Sequence, residues 1–132
     1  MSTRGQKGPT DFFDWPPTLE CEYGPYEGVV QFIVDGDTFR VLLSVGLNDY
    51  AFRTIRILGI DTPETNRAES REAGLAAKAR LTELIPPGEP VLLHTKPDPD
   101  SFGRYLATVR TEAELDIGAV MLREGFAVPY VR

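Results

Sequence analysis

One helix-forming stretch, residues 68–84, separates three strand-forming runs from two more, and that order limits the fold more than any other property of the chain. The runs before it are Gly28–Val34, Thr38–Val45 and Ala51–Ile60, each rich in β-branched and aromatic residues. Asp35-Gly36 and the segment Gly46–Asp49 supply turn chemistry between them. Within the helical stretch, Ala68, Leu75, Ala76, Ala79, Leu81 and Leu84 are predicted to form the apolar face, with Asn66 and Glu69 as a capping box. Pro86-Pro87-Gly88 stops the helix, because proline lacks the N–H the next turn needs. Val91–His94 and Arg104–Arg110 read as the last two strands. A short helix over residues 117–124 closes the chain, with Gly125 as its C-terminal stop.

Three strands, a helix, two strands and a closing helix predict a mainly β chain with helices (α+β): a five-stranded Greek-key barrel of the oligonucleotide/oligosaccharide-binding (OB-fold) type, with an inserted helix. Such barrels host many functions, so the fold leaves activity open. The organisation expected is an arm over residues 1–26, dense in Gly, Pro and aromatic residues, and one domain over residues 27–132. The arm's rings, Phe12, Phe13 and Trp15 among them, are costly to leave in water, so packing over a groove of the barrel stands as an alternative to a disordered tail.

The formal net charge of −6 argues mildly against nucleic-acid binding, which draws on Lys and Arg for phosphate neutralisation. The lone Cys21 forms no internal disulfide. No leader-like n-region and apolar segment opens the chain, and no apolar run approaches a membrane span, so a soluble, cytoplasmic monomer without membrane contact is expected. His94, the only histidine, falls mid-strand and is read as a packed or solvated side chain.

Four segments concentrate the chemistry: residues 34–38 with Asp35 and Asp37, Arg56, residues 61–65 with Asp61, Thr62 and Glu64, and residues 100–104 with Phe102 and Arg104. Singly, each has a structural reading: a hairpin turn, a strand end leading to a helix cap, a bend beside a solvated cation. Together they offer more, because strand ends in a small barrel can converge on one rim. Two carboxylates side by side repel unless a proton or cation is shared, and a hard divalent cation such as calcium favours oxygen donors. With one cysteine and one histidine, a zinc site is disfavoured. Glu64 and two arginines add a candidate base and an anion clamp, an inventory suited to attack of water on a phosphodiester. One geometric demand follows. Arg56 and Asp61 are five apart and would face opposite sides of a regular strand, so a break is needed, and Gly59 is its natural place.

Carried by these motifs in this order, the chain from about Tyr26 to Val131 resembles the staphylococcal nuclease (thermonuclease) family. The resemblance implies a calcium-dependent endonuclease acting on single-stranded or denatured DNA and RNA and leaving 3′-phosphates. It implies that Asp37 and Asp61 bind calcium by side-chain oxygens and Thr62 by its carbonyl. Glu64 would activate water, Arg56 and Arg104 would hold the scissile phosphate, and Asp35 would support the metal site from behind. Phe102 would contact the nucleotide. Ser101 and Phe102 stand where the family's type enzyme has lysine and tyrosine, which implies a weaker grip on substrate. The family continues beyond the position of Arg132 into a further helix, and Val131 falls at a pocket tyrosine, with Tyr130 one residue away. The alternative is a non-catalytic barrel that binds nucleic acid or protein. A decayed site should have lost one of the five polar residues, and all five are present.

Overall fold

The computed structural model describes residues 23–130. Its elements are β1 (Tyr23–Asp35), β2 (Thr38–Gly46), β3 (Asp49–Ile57), β4 (Ile60–Asp61), α1 (Arg71–Leu84), β5 (Pro90–Pro97), β6 (Arg104–Thr111), α2 (Ile117–Arg123) and β7 (Val128–Pro129). Five strands close into a barrel in the order β1-β2-β3-β6-β5, with β5 returning to β1. Every barrel pairing is antiparallel except β3 with β6. The expected α+β barrel is therefore the observed one. Among the described residues no helix is long and apolar enough to cross a membrane.

Period-two alternation explains the barrel wall. On β2, Phe39, Val41 and Leu43 point inward and are buried, while Arg40 and Leu42 point outward. Ile55 and Ile57 of β3, Leu93 of β5 and Val109 of β6 join the same core, together with Leu81 and Ile85 beside them and Ile117 and Met121 of α2. A bulge in β1 between Val30 and Phe32 leaves both Gln31 and Phe32 on the outside.

Tyr23–Tyr26, read as the end of an arm, belong to β1, where Tyr23 pairs with Thr95 and Tyr26 with Leu93. Residues 1–22, with Cys21 and most of the arm's rings, lie outside the described residues, as does Val131.

Two local expectations for α1 are corrected. The helix starts at Arg71, its N-cap is Ser70 without a side-chain capping bond, and the Asn66/Glu69 capping box does not form. The preceding segment is instead tied down elsewhere: Ser70 Oγ donates to the Glu64 carbonyl at 2.6 Å. Its buried face is Gly74, Ala77 and Leu81, while Leu75, Ala76 and Ala79 are exposed. Small residues are chosen here because backbone lies close against them. A Cβ on Gly74 would stand 2.8 Å from the Pro63 carbonyl oxygen, and one on Gly36 would stand 2.6 Å from Ala77 Cβ. α1 thus presses on both the Asp35–Asp37 turn and the Pro63–Glu64 loop.

α2 follows its sequence signals more closely. Asp116 caps it by accepting from the Ala119 N–H at 3.1 Å. Beyond it, Gly125 has φ +82°, and the N–H groups of Gly125 and Phe126 return to the carbonyls of Leu122 and Met121.

Candidate active site at the barrel rim

The β1–β2 turn, the end of β3, the loop before α1 and the start of β6 meet around a cleft of about 350 Å³. Asp35, Asp37, Arg56, Asp61, Thr62, Glu64 and Arg104 all line it. Seven of the eight residues named from sequence are therefore brought together. Phe102 is not among them: it is fully exposed at the tip of the β5–β6 connection and does not line the cleft.

Arg56 reaches Asp61 because the chain breaks where the spacing required. β3 ends at Ile57, Gly59 takes φ +86°, and the chain resumes as β4 at Ile60. That left-handed conformation is open to glycine at no steric cost. β4 is then held by β7, with Asp61 paired to Val128, and the Tyr130 N–H donates to the Gly59 carbonyl at 2.9 Å.

The Arg56 guanidinium joins the two aspartates. Its Nη2 lies 2.7 Å from Asp61 Oδ1 and 3.4 Å from Asp37 Oδ2. Asp37 is buried; its Oδ2 also accepts from the Thr62 N–H at 3.2 Å and its Oδ1 from the Thr38 hydroxyl at 2.9 Å. Arg56 Nε is buried with no hydrogen-bond partner. Asp35 stands behind, accepting from the Thr65 hydroxyl at 3.0 Å, which ties the β1–β2 turn to the loop carrying Glu64. The Glu64 side chain is exposed, with Arg67 Nε 3.8 Å from its carboxylate. It is the least constrained acid of the group.

Arg104 enters from β6 beside Thr54 of β3. Its Nε donates to Asp98 Oδ2 at 2.6 Å, and the Asp98 side chain is 0% exposed. Asp98 Oδ1 also accepts from the Asp100 N–H at 2.9 Å. A buried carboxylate held this way fixes the inner edge of the guanidinium of a residue that lines the cleft. Sequence reading missed Asp98, and it set Tyr130 one residue from a pocket position without giving it a contact; the Tyr130 ring centroid lies 5.7 Å from the Arg56 guanidinium carbon. The available signals were an aspartate between two prolines, six residues before Arg104, and a tyrosine near the end of the chain.

The acidic pair also defines what the rim can hold. Asp37 of the β1–β2 turn and Asp61 of β4 bring carboxylate oxygens to one guanidinium, and no His or Cys lines the cleft. Among the described residues no three His, Cys, Asp or Glu side chains form a ready cluster. A hard cation bound here would therefore complete its shell with carbonyl and water oxygens, which calcium's variable coordination allows.

A small closed barrel with arginine-bridged aspartates, an exposed glutamate and a second arginine at one rim defines the class. The family model described as staphylococcal nuclease homologue matches residues 54–132, and the chain belongs to that family. It is 30% identical over 123 residues to Endonuclease YhcR of Bacillus subtilis, covering 87% of this chain and 10% of that protein. It is 37% identical over 102 residues to Endonuclease YncB of the same organism, covering 74% of this chain and 46% of that one. The SPbeta prophage-derived endonuclease YokF is also 37% identical over 102 residues, covering 74% and 32%. The chain thus spans less than half the length of each of these curated relatives. The family match begins after Asp35 and Asp37, and it is the fold that sets these two beside Arg56, Asp61 and Arg104.

Proposed function

We propose that this chain is a calcium-dependent endonuclease that hydrolyses phosphodiester bonds in single-stranded or denatured DNA and RNA. One observation carries the reading. Asp37, Asp61, Arg56, Glu64 and Arg104, drawn from four separate segments, line a single cleft. Family membership and the endonucleases it resembles support the same reading.

The residues divide the work by charge. Asp37 and Asp61, with the Thr62 carbonyl, are the groups suited to hold calcium, which when bound supplies positive charge beside the phosphate and orders water there. Glu64, whose side chain is exposed at the cleft, accepts a proton from the attacking water. Arg56 and Arg104 contact the non-bridging phosphate oxygens and stabilise the charge that grows in the five-coordinate transition state. The water oxygen bonds to phosphorus as the P–O5′ bond breaks. The 5′-oxygen then takes up a proton, leaving a 3′-phosphate and a 5′-hydroxyl. None of these groups reads a base edge, so cleavage is expected to be non-specific in sequence.

Heat-denatured DNA and RNA incubated with the protein in calcium, and separately in chelator, test the proposal. Fragments bearing 5′-hydroxyl ends should accumulate only with calcium. Intact substrate at every calcium concentration and alkaline pH would refute the enzyme reading and leave a binding barrel.

A further inference from the structure

The cleft opens onto an exposed face that the rim chemistry does not use. On β3, Arg56, Thr54 and Phe52 point the same way, and across the sheet Arg40 pairs with Thr54 and Leu42 with Phe52. On β1, Phe32 stands opposite Arg40, and Val34 lies two residues nearer the cleft. Val34 and Thr54 line the cleft itself, so the face continues it without a break. The rings are partly exposed: Phe32 is 47% exposed and Phe52 43%. The Arg40 guanidinium carbon lies 4.2 Å from the Phe52 centroid and 5.9 Å from that of Phe32. Its Nε is buried without a hydrogen-bond partner, and Arg40 forms no ion pair among the described residues.

We infer that Phe32, Arg40 and Phe52 form a docking track for single-stranded nucleic acid, holding the strand beyond the bond being cut. The inference rests on the nuclease reading and extends its substrate contact. Bases stack on exposed aromatic faces irrespective of their identity, and a cation on a ring offers its outer N–H groups to phosphate. The unpaired cation selects a polyanion over a purely apolar partner. The larger groove near the other end of the strands, about 750 Å³, is a poorer path, because Glu27, Glu112 and Glu114 line it against Arg110 alone. From Arg56 to Phe52 is four residues, roughly 14 Å of extended strand. A dinucleotide held at the rim therefore stops short of the track, while an oligonucleotide of about eight residues reaches it.

The test uses the full chain with Phe52→Ala, Phe32→Ala and Arg40→Gln. Binding of fluorescent DNA oligonucleotides of about eight residues and of a dinucleotide is read by anisotropy, and cleavage of both is followed alongside. Each ring variant should weaken the longer ligand by about 5-fold or more and leave dinucleotide KM and kcat unchanged. Arg40→Gln should also flatten the salt dependence of the longer ligand by about 0.7 in log–log slope. Equal effects on both lengths, or none on either, would overturn the track. So would a fall in Tm without a length-dependent loss, since that places another part of the chain on this face. Ring-dependent binding without cleavage would uphold the track and sink the nuclease reading; cleavage with ring-independent binding would do the reverse.

Discussion

Arg104 is held by its inner nitrogen, and that contact sets how it can work. Asp98 is buried and accepts from Arg104 Nε, so the pair orients the guanidinium before any phosphate arrives. Arg104→Ala should lower kcat on the order of 100-fold or more, as loss of a transition-state donor does. Asp98→Asn should cost about 10-fold in kcat, and little further when added to Arg104→Ala, because both changes act through one side chain. Additive losses in that double-mutant cycle would show that Asp98 does not position Arg104. Leu47 makes a separate case. It is 97% exposed and sits at φ +57° in the β2–β3 turn, followed by Asn48 at φ +64°. A leucine gains nothing there and bears left-handed strain, whereas asparagine tolerates that region. Leu47→Asn should stabilise the protein by about 0.5–1 kcal/mol in denaturant unfolding, with activity unchanged. The acidic and basic residues that meet at the rim were legible in the sequence because each sits in a short motif that, in this order, resembles the family's. Asp98 was not, nor was the contact of Tyr130 with Arg56, because these depend on strand register and on β7 docking against β4, which no local spacing encodes.

At the level of elements, α1 acts as a buttress for the site. Gly74 lies against the Pro63–Glu64 loop and Ala77 against Gly36 between Asp35 and Asp37. Ordinarily Gly→Ala within a helix gains about 1 kcal/mol in propensity. Here the added methyl meets backbone, so Gly74→Ala should instead destabilise by about 1–3 kcal/mol and reduce kcat by shifting Glu64. A more stable, fully active Gly74→Ala protein would show that the helix does not set the loop. The existence and end of this helix were readable from its residue types and from Pro86-Pro87-Gly88. Its buried face was not, because hydrophobicity favours Leu75 while close backbone approach favours glycine and alanine. Farther along the helix, the Arg80 guanidinium donates to Glu124 and Glu83 and ties α1 to the end of α2. The Arg80 hydrogen bonds hold the Glu124 carboxyl below the usual carboxylate range. Its folded pKa is depressed, so this contribution is present above the unfolded carboxylate pKa and lost as pH falls through the folded value. Both groups are solvent-accessible, so the contribution is small. Glu124→Gln should slightly lower Tm at neutral pH and blunt part of the fall in Tm on acidification.

For the whole molecule, charge and site pull in opposite directions. A chain of net charge −6 makes a poor general polyanion binder, so under the proposed function phosphate contact would fall to a few placed arginines. Counterion release then predicts a shallow salt dependence: with Arg56, Arg104 and Arg40 engaged, log affinity for single strands should fall with log salt at a slope of about −2. A slope several-fold steeper would point to phosphate contacts well beyond these three arginines. The barrel itself followed from strand order and alternation, which is why its architecture was legible when its two-stranded β4–β7 clasp was not. That clasp pairs only two residues on each strand, too short for any pattern, yet it holds Asp61 against Arg56.

The central claim is that the rim groups act together on a phosphodiester in the presence of calcium. Single-turnover cleavage of denatured DNA by the wild-type chain and by Glu64→Gln, at saturating calcium, tests it most directly. Glu64 is exposed and outside the core, so the variant should fold and bind DNA as the wild type does. Its cleavage rate should fall on the order of 100-fold or more. A rate within about 3-fold of wild type would contradict the account, because it would remove the proton acceptor on which the site's chemistry depends.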